Sequence, residues 1–301
     1  MSAVTEDINL DTWNIDLQSG IEIARSINRE DKKVALSVEA VLEPIGTAID
    51  AIAKRFNKGG RMAYFGSGTS GRIGILDASE MLPTYGVSPE LIRGYISGGE
   101  AAIRHAVEGA EDSAELAVAD FNDFNPREND IVVAISASGN PEYVYKVLQL
   151  AGERGCLRIA VTSNPEARFK PYADIFICAD VGAEAIAGSS RMKSGTAQKM
   201  ILNMLSTGAM IRLGKTYHNY MIDLQIGSRK LYNRAIDYIC KITGADVSAA
   251  AAVFAEAGNV KTACVMIVKK CSKPEAEKLL RQNGGILRKI IQLSPRARVS
   301  E

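Results

Sequence analysis

The spacing of apolar side chains predicts helices at the start of the chain. Between residues 17 and 57 apolar residues recur every three or four positions, which is typical of one buried helical face. They are Ile21, Ile23, Ala24 and Ile27, and then Val34, Leu36, Val38, Val41, Leu42, Ile45, Ile49 and Ile52. The sequence Asn57-Lys58-Gly59-Gly60 predicts the end of this helical segment, because glycine favours helix termination.

The middle of the chain has a different pattern. Five short apolar runs rich in β-branched and aromatic residues predict strands at 62–65, 91–96, 131–135, 157–161 and 175–178. The segments between them are long enough for helices, and a long helix is predicted over residues 191–213. Alternating strands and helices favour an α/β fold with a doubly wound five-stranded parallel sheet flanked by helices.

The pattern from about residue 221 onward is helical. Asp246 or Ser248 is expected to cap a helix over residues 249–257, and Pro274 is expected to lie in the first turn of another. A last basic helix is predicted over residues 286–293. We therefore expect an N-terminal helical segment (1–57), a central α/β domain (58–215) and a C-terminal helical region with a small bundle (216–301).

Composition restricts the chemistry. Lys and Arg number 36 and Asp and Glu 35, so the net charge of +1 gives no electrostatic reason to expect a nucleic acid or membrane partner. With only two histidines, His105 and His218, we expect no His-rich metal site, and a serine hydrolase triad would need one of them. The five cysteines contain no C-x-x-C pair, and the acidic N-terminus predicts no signal peptide, so we expect a cytoplasmic protein with reduced thiols.

The first chemical feature is the glycine-rich loop at residues 66–72, which follows the first predicted strand. It reads Gly66-Ser67-Gly68-Thr69-Ser70-Gly71-Arg72 and matches the dinucleotide pattern G-x-G-x-x-G. A dinucleotide site also needs an acidic residue at the end of the second strand, and here Glu100 comes too late. Hydroxyls and backbone N–H groups at a helix start favour a phosphate monoester, and a capped turn is the alternative.

Two more hydroxyl-rich loops lie at residues 136–139, after the third predicted strand, and at residues 188–196, before the long predicted helix. Because ligands bind beyond the carboxyl ends of parallel strands, we expect the three loops to converge on one anion. Arg191 and Lys193 would add positive charge there or be solvated. The candidate phosphate-binding residues are Ser67, Gly68, Thr69, Ser70, Gly71, Arg72, Ser136, Ser138, Gly139, Ser189, Ser190 and Lys193.

Carboxylates are the remaining candidates for acid–base chemistry. Glu80, with Asp77 nearby, is predicted on the helix that begins in the glycine-rich loop, where Arg72 and Glu80 would share a face. Glu111 lies in the acidic segment 108–113. Most glutamates on helices are solvated surface residues, which favours that interpretation for each glutamate taken singly, and the residues alone do not choose among the glutamates.

These segments resemble the N-acetylmuramic acid 6-phosphate etherase family. The similarity is carried by three blocks, residues 66–80, residues 98–112 and residues 189–207, and it extends over nearly the whole chain. The resemblance implies the sugar isomerase (SIS) fold, in which a five-stranded parallel sheet binds phosphosugars and a small helical bundle follows. It implies no metal and no cofactor, and a homodimer in which the N-terminal helices are candidates for the contact.

The resemblance also implies a lyase reaction. The family removes the D-lactyl ether of N-acetylmuramic acid 6-phosphate by β-elimination and hydration, giving N-acetylglucosamine 6-phosphate and D-lactate. By resemblance, Glu111 matches the base that removes the C2 proton, and Glu80 matches the acid that protonates the departing lactate oxygen. A carboxylic acid that must hold its proton implies a partly desolvated site. His105 lies inside a matched block and is a candidate for a supporting role.

The chain departs from the usual family pattern in three places. Asn140-Pro141-Glu142 replaces Arg-Thr-Pro after the second hydroxyl-rich loop, Met81-Leu82-Pro83 replaces Cys-Pro-Pro, and residues 6–9 lack the usual arginines. The first change removes a hydroxyl and a cation near the expected phosphate, but both glutamates are kept. The alternatives are a non-catalytic phosphosugar-binding regulator and a phosphosugar aldose–ketose isomerase.

Overall fold

The computed structural model describes residues 4–292, and the chain divides into two compact units. The first, the sheet unit, comprises the chain up to Ser79 together with Pro89–Ala209. The second, the bundle unit, comprises Glu80–Ser88 and the chain from Met210 onward. The predicted domain boundaries at residues 57 and 215 stay a prediction.

The N-terminal part of the sheet unit is helical, as the apolar spacing predicted. Short 3₁₀ turns at Val4–Glu6, Leu10–Thr12 and Ile15–Leu17 precede α1 (Gly20–Glu39) and α2 (Leu42–Phe56). Helix α1 begins with a capping box, in which the Ser19 backbone N–H donates to the Glu22 carboxylate at 2.8 Å. The interruption between α1 and α2 leaves the predicted apolar series in two helices rather than one.

The five predicted strands form one parallel sheet, which confirms the α/β fold. The strands are β1 (Met62–Gly66), β2 (Ile92–Ile96), β3 (Ile131–Ile135), β4 (Leu157–Thr162) and β5 (Ile175–Cys178). Their order is β2-β1-β3-β4-β5, and every neighbouring pair is parallel. All residues of β1 and β3 are buried, because helices cover both faces of the sheet, and this produces continuous apolar runs.

Helices α3 to α8 follow β1 in the chain. They are α3 (Gly68–Ser79), α4 (Met81–Tyr85), α5 (Gly99–Arg104), α6 (Ala114–Phe124), α7 (Glu142–Glu153) and α8 (Lys193–Arg212). One core cluster joins α6 and α7 to the sheet, and within it the Phe65 and Tyr95 rings stack at 4.8 Å. Helix α8 confirms the long helix that was predicted over residues 191–213.

Helix α3 ends one residue before Glu80, and this corrects a prediction. Pro83 has no N–H and cannot donate a helical hydrogen bond to the Ser79 carbonyl, so the chain breaks and restarts as α4. Glu80 is the residue that directly precedes α4, and its side chain makes no capping hydrogen bond to that helix. The prediction that Glu80 lies on the helix that begins in the glycine-rich loop is therefore wrong by one residue, whereas the shared face with Arg72 stays a prediction.

The bundle unit contains four longer helices around an apolar core. They are α9 (Arg229–Thr243), α10 (Val247–Ala257), α11 (Val260–Lys269) and α12 (Lys273–Gln282). The Asp246 carboxylate caps α10 by accepting from the Ala249 N–H at 2.8 Å, as predicted, although the helix begins two residues earlier than expected. Core side chains such as Ile239, Ala263 and Leu287 are fully buried.

Two predictions for this unit are wrong. A two-stranded antiparallel hairpin, β6 (Thr216–Tyr217) and β7 (Tyr220–Met221), stands before α9, and each strand is too short to show an alternating pattern. His218 lies in its turn, although residues 216–301 were predicted to form a helical region. The basic helix predicted over residues 286–293 is a 3₁₀ turn at Leu287–Lys289, after Gly284 and Gly285 reverse the chain with positive φ, and Leu293 lies outside the described residues.

Across residues 4–292, no single helix has the length and apolar composition needed to cross a membrane. Helices α9 and α10 meet those criteria only as a pair, and they are bent by 111° at the break between them.

Candidate active site

The glycine-rich loop joins β1 to α3, and two buried polar groups without hydrogen-bond partners lie in this loop and on the Gln198 side chain that contacts it. The Ser67 carbonyl accepts the Ser70 N–H at 3.1 Å, which forms the tight turn predicted from the glycines. The Ser70 hydroxyl donates to the Gln198 side-chain oxygen at 3.0 Å. The Ser67 hydroxyl and the Gln198 side-chain nitrogen are buried without a hydrogen-bond partner. A buried polar group without a partner costs about 1–3 kcal/mol, so these groups are suited to a polar ligand.

Gln198 is a candidate site residue that sequence reasoning missed. It lies on α8, inside the third matched block, but an amide on a helix carries no motif of its own. Its spacing of four residues from Ser194, a hydroxyl of the third predicted loop, was the available signal, since positions i and i+4 share a helix face.

The loop after β3 presents hydroxyls whose oxygen atoms are already used as acceptors. The Ser136 hydroxyl accepts the Gly139 N–H at 3.0 Å, and the Ser138 hydroxyl accepts the Asn140 N–H at 3.3 Å. Gly139 has a φ of +69°, and a Cβ there would lie 2.2 Å from the Cβ of Ala167, so only glycine fits. Because each hydroxyl accepts a backbone N–H, its own hydrogen remains available to donate to an anion.

The loop after β4 adds a hydroxyl that is absent from the three predicted loops. The Ser163 hydroxyl is buried without a partner, whereas the preceding Thr162 hydroxyl donates to the Ala137 carbonyl at 3.0 Å. The Asn164 side chain donates to the Ser138 carbonyl at 2.8 Å and so ties this loop to the one after β3. The cluster Thr162-Ser163-Asn164 at a strand end was the missed signal.

The third predicted loop leads into α8, whose N-terminus is already occupied by a carboxylate. The backbone N–H groups of Lys193 and Ser194 each donate to Glu184 at 2.9 Å, and the Ser194 hydroxyl donates to it at 2.8 Å. Glu184 is fully buried and acts as the cap of this helix. An anion would therefore contact the preceding residues, and Ser189 and Ser190 are partly exposed there.

The Lys193 side chain is buried, so the alternative that it is solvated is wrong. Its ammonium contacts the Glu30 carboxylate at 2.7 Å, and both side chains are 2% exposed. Lys33 and Asn9 also donate to Glu30, at 2.7 and 2.9 Å. A cavity of about 240 Å³ adjoins this group and is lined in part by Ile8 and Gly182. The Lys193 ammonium already has a buried partner in Glu30. Phosphate binding by Lys193 stays a prediction.

Loss of the Lys193 ammonium is expected to destabilise the fold. Burial opposes ionisation of Glu30, but hydrogen bonds from Lys193, Lys33 and Asn9 outweigh it and lower the pKa of Glu30 to about 2. This stabilisation is therefore full above the ordinary pKa of 4.5 and is lost as the pH falls through about 2. We expect Lys193→Met to lower the free energy of unfolding at pH 7 by about 3 kcal/mol in urea titrations.

The matched control is Lys33→Met, which removes the other ammonium from the same carboxylate. The Lys33 side chain is 49% exposed, so we expect a loss of less than about 1 kcal/mol. Equal losses for the two variants would contradict the assignment of the buried pair to Lys193.

Arg72 connects the first two matched blocks. Its guanidinium donates to the carbonyls of Ala102 and Ile103, at 2.7 and 2.8 Å, near the C-terminal end of α5. The third carbonyl in reach is that of His105, at 3.4 Å. These bonds fix α5, and phosphate binding by Arg72 stays a prediction.

The two candidate catalytic glutamates are both exposed. Glu111 lies in a 3₁₀ turn at Ala110–Asp112, after Gly109 in the sheet unit. Glu80 lies at the start of α4 in the bundle unit. The single chain therefore lacks the partial desolvation that the sequence analysis expected around an acid.

Asp77 is a buried structural residue. Tyr64 donates to one carboxylate oxygen at 2.7 Å, and Asn203 and Ser206 donate to the other at 2.6 and 3.1 Å. Burial raises the pKa of Asp77, and these hydrogen bonds oppose that effect. Within residues 4–292, no three His, Cys, Asp or Glu side chains are grouped so that they could hold a metal ion.

Comparison with sequence families matches two SIS families to this chain. The glucokinase regulatory protein N-terminal SIS domain matches residues 44–152, and the SIS domain matches residues 114–208. Among solved structures, phosphoheptose isomerases from Francisella tularensis and Neisseria gonorrhoeae are each 16% identical to this chain. Their TM-scores are 0.49 and 0.48, over 65% and 63% of this chain and 98% of each relative.

Two curated relatives align over almost the full length of the chain. The N-acetylmuramic acid 6-phosphate etherases from Escherichia coli O1:K1 and Shigella boydii serotype 18 are each 48% identical to it, over 290 and 289 residues. The alignments cover 96% of this chain and 97% of each relative. This agreement confirms the resemblance carried by the three sequence blocks, and the chain belongs to the N-acetylmuramic acid 6-phosphate etherase family.

Proposed function

We propose that this chain is a lyase that cleaves the D-lactyl ether of N-acetylmuramic acid 6-phosphate. The products are N-acetylglucosamine 6-phosphate and D-lactate. The observation that carries the proposal is the 48% identity to etherases over 96% of the chain. The hydroxyl-rich loops at the strand ends support it, because they supply the donors that a sugar phosphate requires.

The phosphate is held by the loops at the carboxyl ends of β1, β3 and β4. Hydroxyl and backbone donors at the ends of parallel strands favour a phosphate monoester over a bridging diphosphate. Buried groups without partners in the chain gain the most from such a ligand. The proposed contacts are Ser67, Gly68, Thr69, Ser70, Gly71, Ser136, Ser138, Gly139, Ser163, Ser189, Ser190 and Gln198.

The chemistry begins in the open-chain sugar, whose C1 aldehyde acidifies the C2 proton. The Glu111 carboxylate removes that proton and leaves a carbanion at C2 that the C1 aldehyde stabilises. The electron pair of this carbanion then forms the C2–C3 double bond when the C3–O bond to lactate breaks. Glu80 gives its proton to the departing lactate oxygen. Water then adds at C3, with Glu80 taking a proton from the water and Glu111 returning one to C2. General acid–base catalysis of this kind contributes about 10²- to 10⁴-fold for each group.

We further propose a homodimer. Residues 8–21 of the N-terminal segment expose five large apolar side chains, among them Ile8, and Leu10 and Leu17 are each 82% exposed. Trp13 and Ile21 are exposed in the same segment. Closely spaced exposed apolar side chains mark protein interaction surfaces. A second copy on this surface would bury them.

The proposed setting is the cytoplasm, in amino sugar metabolism during peptidoglycan recycling. All five cysteines are free thiols, which fits a reducing compartment. The substrate class is a small phosphosugar, and the proposal involves neither nucleic acid nor membrane.

The test of the proposed function is an assay of the wild-type chain with N-acetylmuramic acid 6-phosphate. We expect one D-lactate for each N-acetylglucosamine 6-phosphate, measured by a coupled lactate dehydrogenase reaction. The control substrate is N-acetylmuramic acid without phosphate. We expect its kcat/KM to be lower by about 100-fold or more, because the polar donors would stay unpaired.

Other outcomes identify the alternatives. Tight binding without lactate release would contradict the lyase and favour a phosphosugar-binding regulator. Conversion of a phosphorylated aldose to the ketose, without lactate release, would favour an isomerase.

A further inference from the structure

We infer that Asp223, Lys215 and Lys261 form a positioning cluster for the segment that carries Glu80. The segment is Glu80–Ser88, and both the segment and the cluster belong to the bundle unit. This role rests on the proposed function of Glu80 as the acid. It gives the helical bundle a part in catalysis, as the platform that fixes the proton donor.

The Glu80 segment is a short rigid turn. Within it the Thr84 N–H donates to the Glu80 carbonyl at 3.2 Å, and the Gly86 N–H donates to the Leu82 carbonyl at 3.0 Å. The side chains of Met81, Tyr85 and Val87 in this segment are buried. Because these two hydrogen bonds hold α4 as a single turn, a shift of Gly86 moves Glu80 with it.

Gly86 fixes the end of this turn against Asp223. Its backbone is left-handed, with a φ of 61°, and a Cβ there would lie 2.3 Å from the Asp223 carbonyl oxygen. Neither the conformation nor the space accepts another residue. The backbone of Asp223 therefore sets where α4 ends.

Two lysines hold Asp223 in place. Its carboxylate accepts the Lys261 ammonium at 2.6 Å and the Lys215 ammonium at 3.0 Å. Lys261 projects from α11, and it is 9% exposed in a helix in which Val260, Thr262 and the following residues up to Met266 are also buried. Burial lowers the pKa of Lys261, while the Asp223 charge opposes that effect.

A buried ion pair is an inefficient way to stabilise a bundle. Its desolvation often cancels its Coulomb attraction, and apolar side chains of similar volume usually stabilise as well. What an ion pair supplies is directional contact between particular atoms. Here the ion pairs connect Lys261 of α11 and Lys215 to Asp223, whose backbone contacts Gly86. The cluster is therefore suited to fixing the position of α4 and of Glu80 at its start.

The consequence is a separation of the two proton transfers. Glu80 depends on this cluster, whereas Glu111 is held by a turn of the sheet unit. A change in the cluster should therefore impair protonation of the leaving lactate and leave removal of the C2 proton intact. Lactate release and exchange of the C2 proton with solvent deuterium measure these two steps separately.

The test compares Gly86→Ala with Gly244→Ala. Gly244 ends α9 in the same unit with a φ of +78°, and a Cβ there meets nothing within 4 Å. Both variants force alanine into left-handed backbone, and only Gly86→Ala meets the Asp223 carbonyl. We expect Gly86→Ala to lower kcat for lactate release by about 100-fold with little change in KM, because small misplacements of a catalytic group have effects of this size. Deuterium exchange at C2 should continue, and Gly244→Ala should retain both activities.

A second pair of variants keeps the inference testable if Gly86→Ala does not fold. Lys261→Met removes the buried ammonium and should show the same selective loss of lactate release, which Lys261→Arg should largely restore. Lys241→Met is its control, because it removes an exposed ammonium paired with Asp237 in the same unit. Thermal unfolding of every variant separates misplacement from loss of folded protein.

The outcomes are distinct from those for the proposed function. Equal loss of lactate release and C2 exchange in folded Gly86→Ala and Lys261→Met, or no loss in either, would overturn the positioning cluster. Absence of lactate release by the wild-type chain would overturn the proposed function itself, and the inference with it.

Discussion

Glu111→Gln is expected to abolish both D-lactate release and exchange of the C2 proton with solvent deuterium. The amide cannot accept the C2 proton, and every later step requires the carbanion that proton removal creates. The expected loss is about 10²- to 10⁴-fold in kcat for both readouts. The assay is lactate release, together with deuterium content at C2 by mass spectrometry in D₂O.

Asp112→Asn is the matched control for this prediction. Asp112 is exposed in the same 3₁₀ turn as Glu111, so its replacement tests the effect of losing a carboxylate from the turn. We expect both activities to stay within about twofold of the wild type, since exposed substitutions away from reacting atoms have small effects. Retained C2 exchange in Glu111→Gln would exclude Glu111 as the base.

Glu80→Gln is expected to separate the two activities. Glutamine cannot protonate the leaving lactate, so lactate release should fall by about 10²- to 10⁴-fold. Removal of the C2 proton by Glu111 does not require that acid, so C2 exchange should continue. The Glu80 side chain makes no capping hydrogen bond to α4, and the unfolding temperature should therefore stay close to that of the wild type.

Glu43→Gln provides the control for Glu80→Gln. Glu43 is an exposed glutamate in the first turn of α2, and its loss should leave both readouts unchanged. If Glu80→Gln releases lactate at the wild-type rate, another group is the acid. If both Glu80→Gln and Glu111→Gln do so, the two-glutamate assignment is wrong.

The parallel sheet could be predicted because its strands are buried on both faces. Such strands appear as short continuous apolar runs, and β3 and β5 have the predicted bounds. Pro83 in the sequence also indicated the break between α3 and α4. Because the helical spacing continues across this break, Glu80 was wrongly assigned to the first of the two helices. The hairpin β6–β7 left no pattern, because two residues per strand show no alternation.

The site was less predictable than the fold. Hydroxyls at strand ends could be read from the sequence, because the topology of a parallel sheet brings those ends together. The partners of the charged residues could not be predicted from the sequence. Lys193 contacts Glu30, which is 163 residues away, and Glu184 caps the helix whose N-terminus was expected to face the phosphate. Such pairings depend on tertiary packing, and local spacing carries no trace of them.

The most direct test of the account is the isotopic composition of the products of the wild-type reaction. The reaction is run on N-acetylmuramic acid 6-phosphate in D₂O and separately in H₂¹⁸O, and the products are analysed by mass spectrometry. Elimination followed by hydration predicts N-acetylglucosamine 6-phosphate with deuterium at C2 and ¹⁸O at C3, and lactate without ¹⁸O. Lactate that carries ¹⁸O, or sugar phosphate without deuterium at C2, would contradict it.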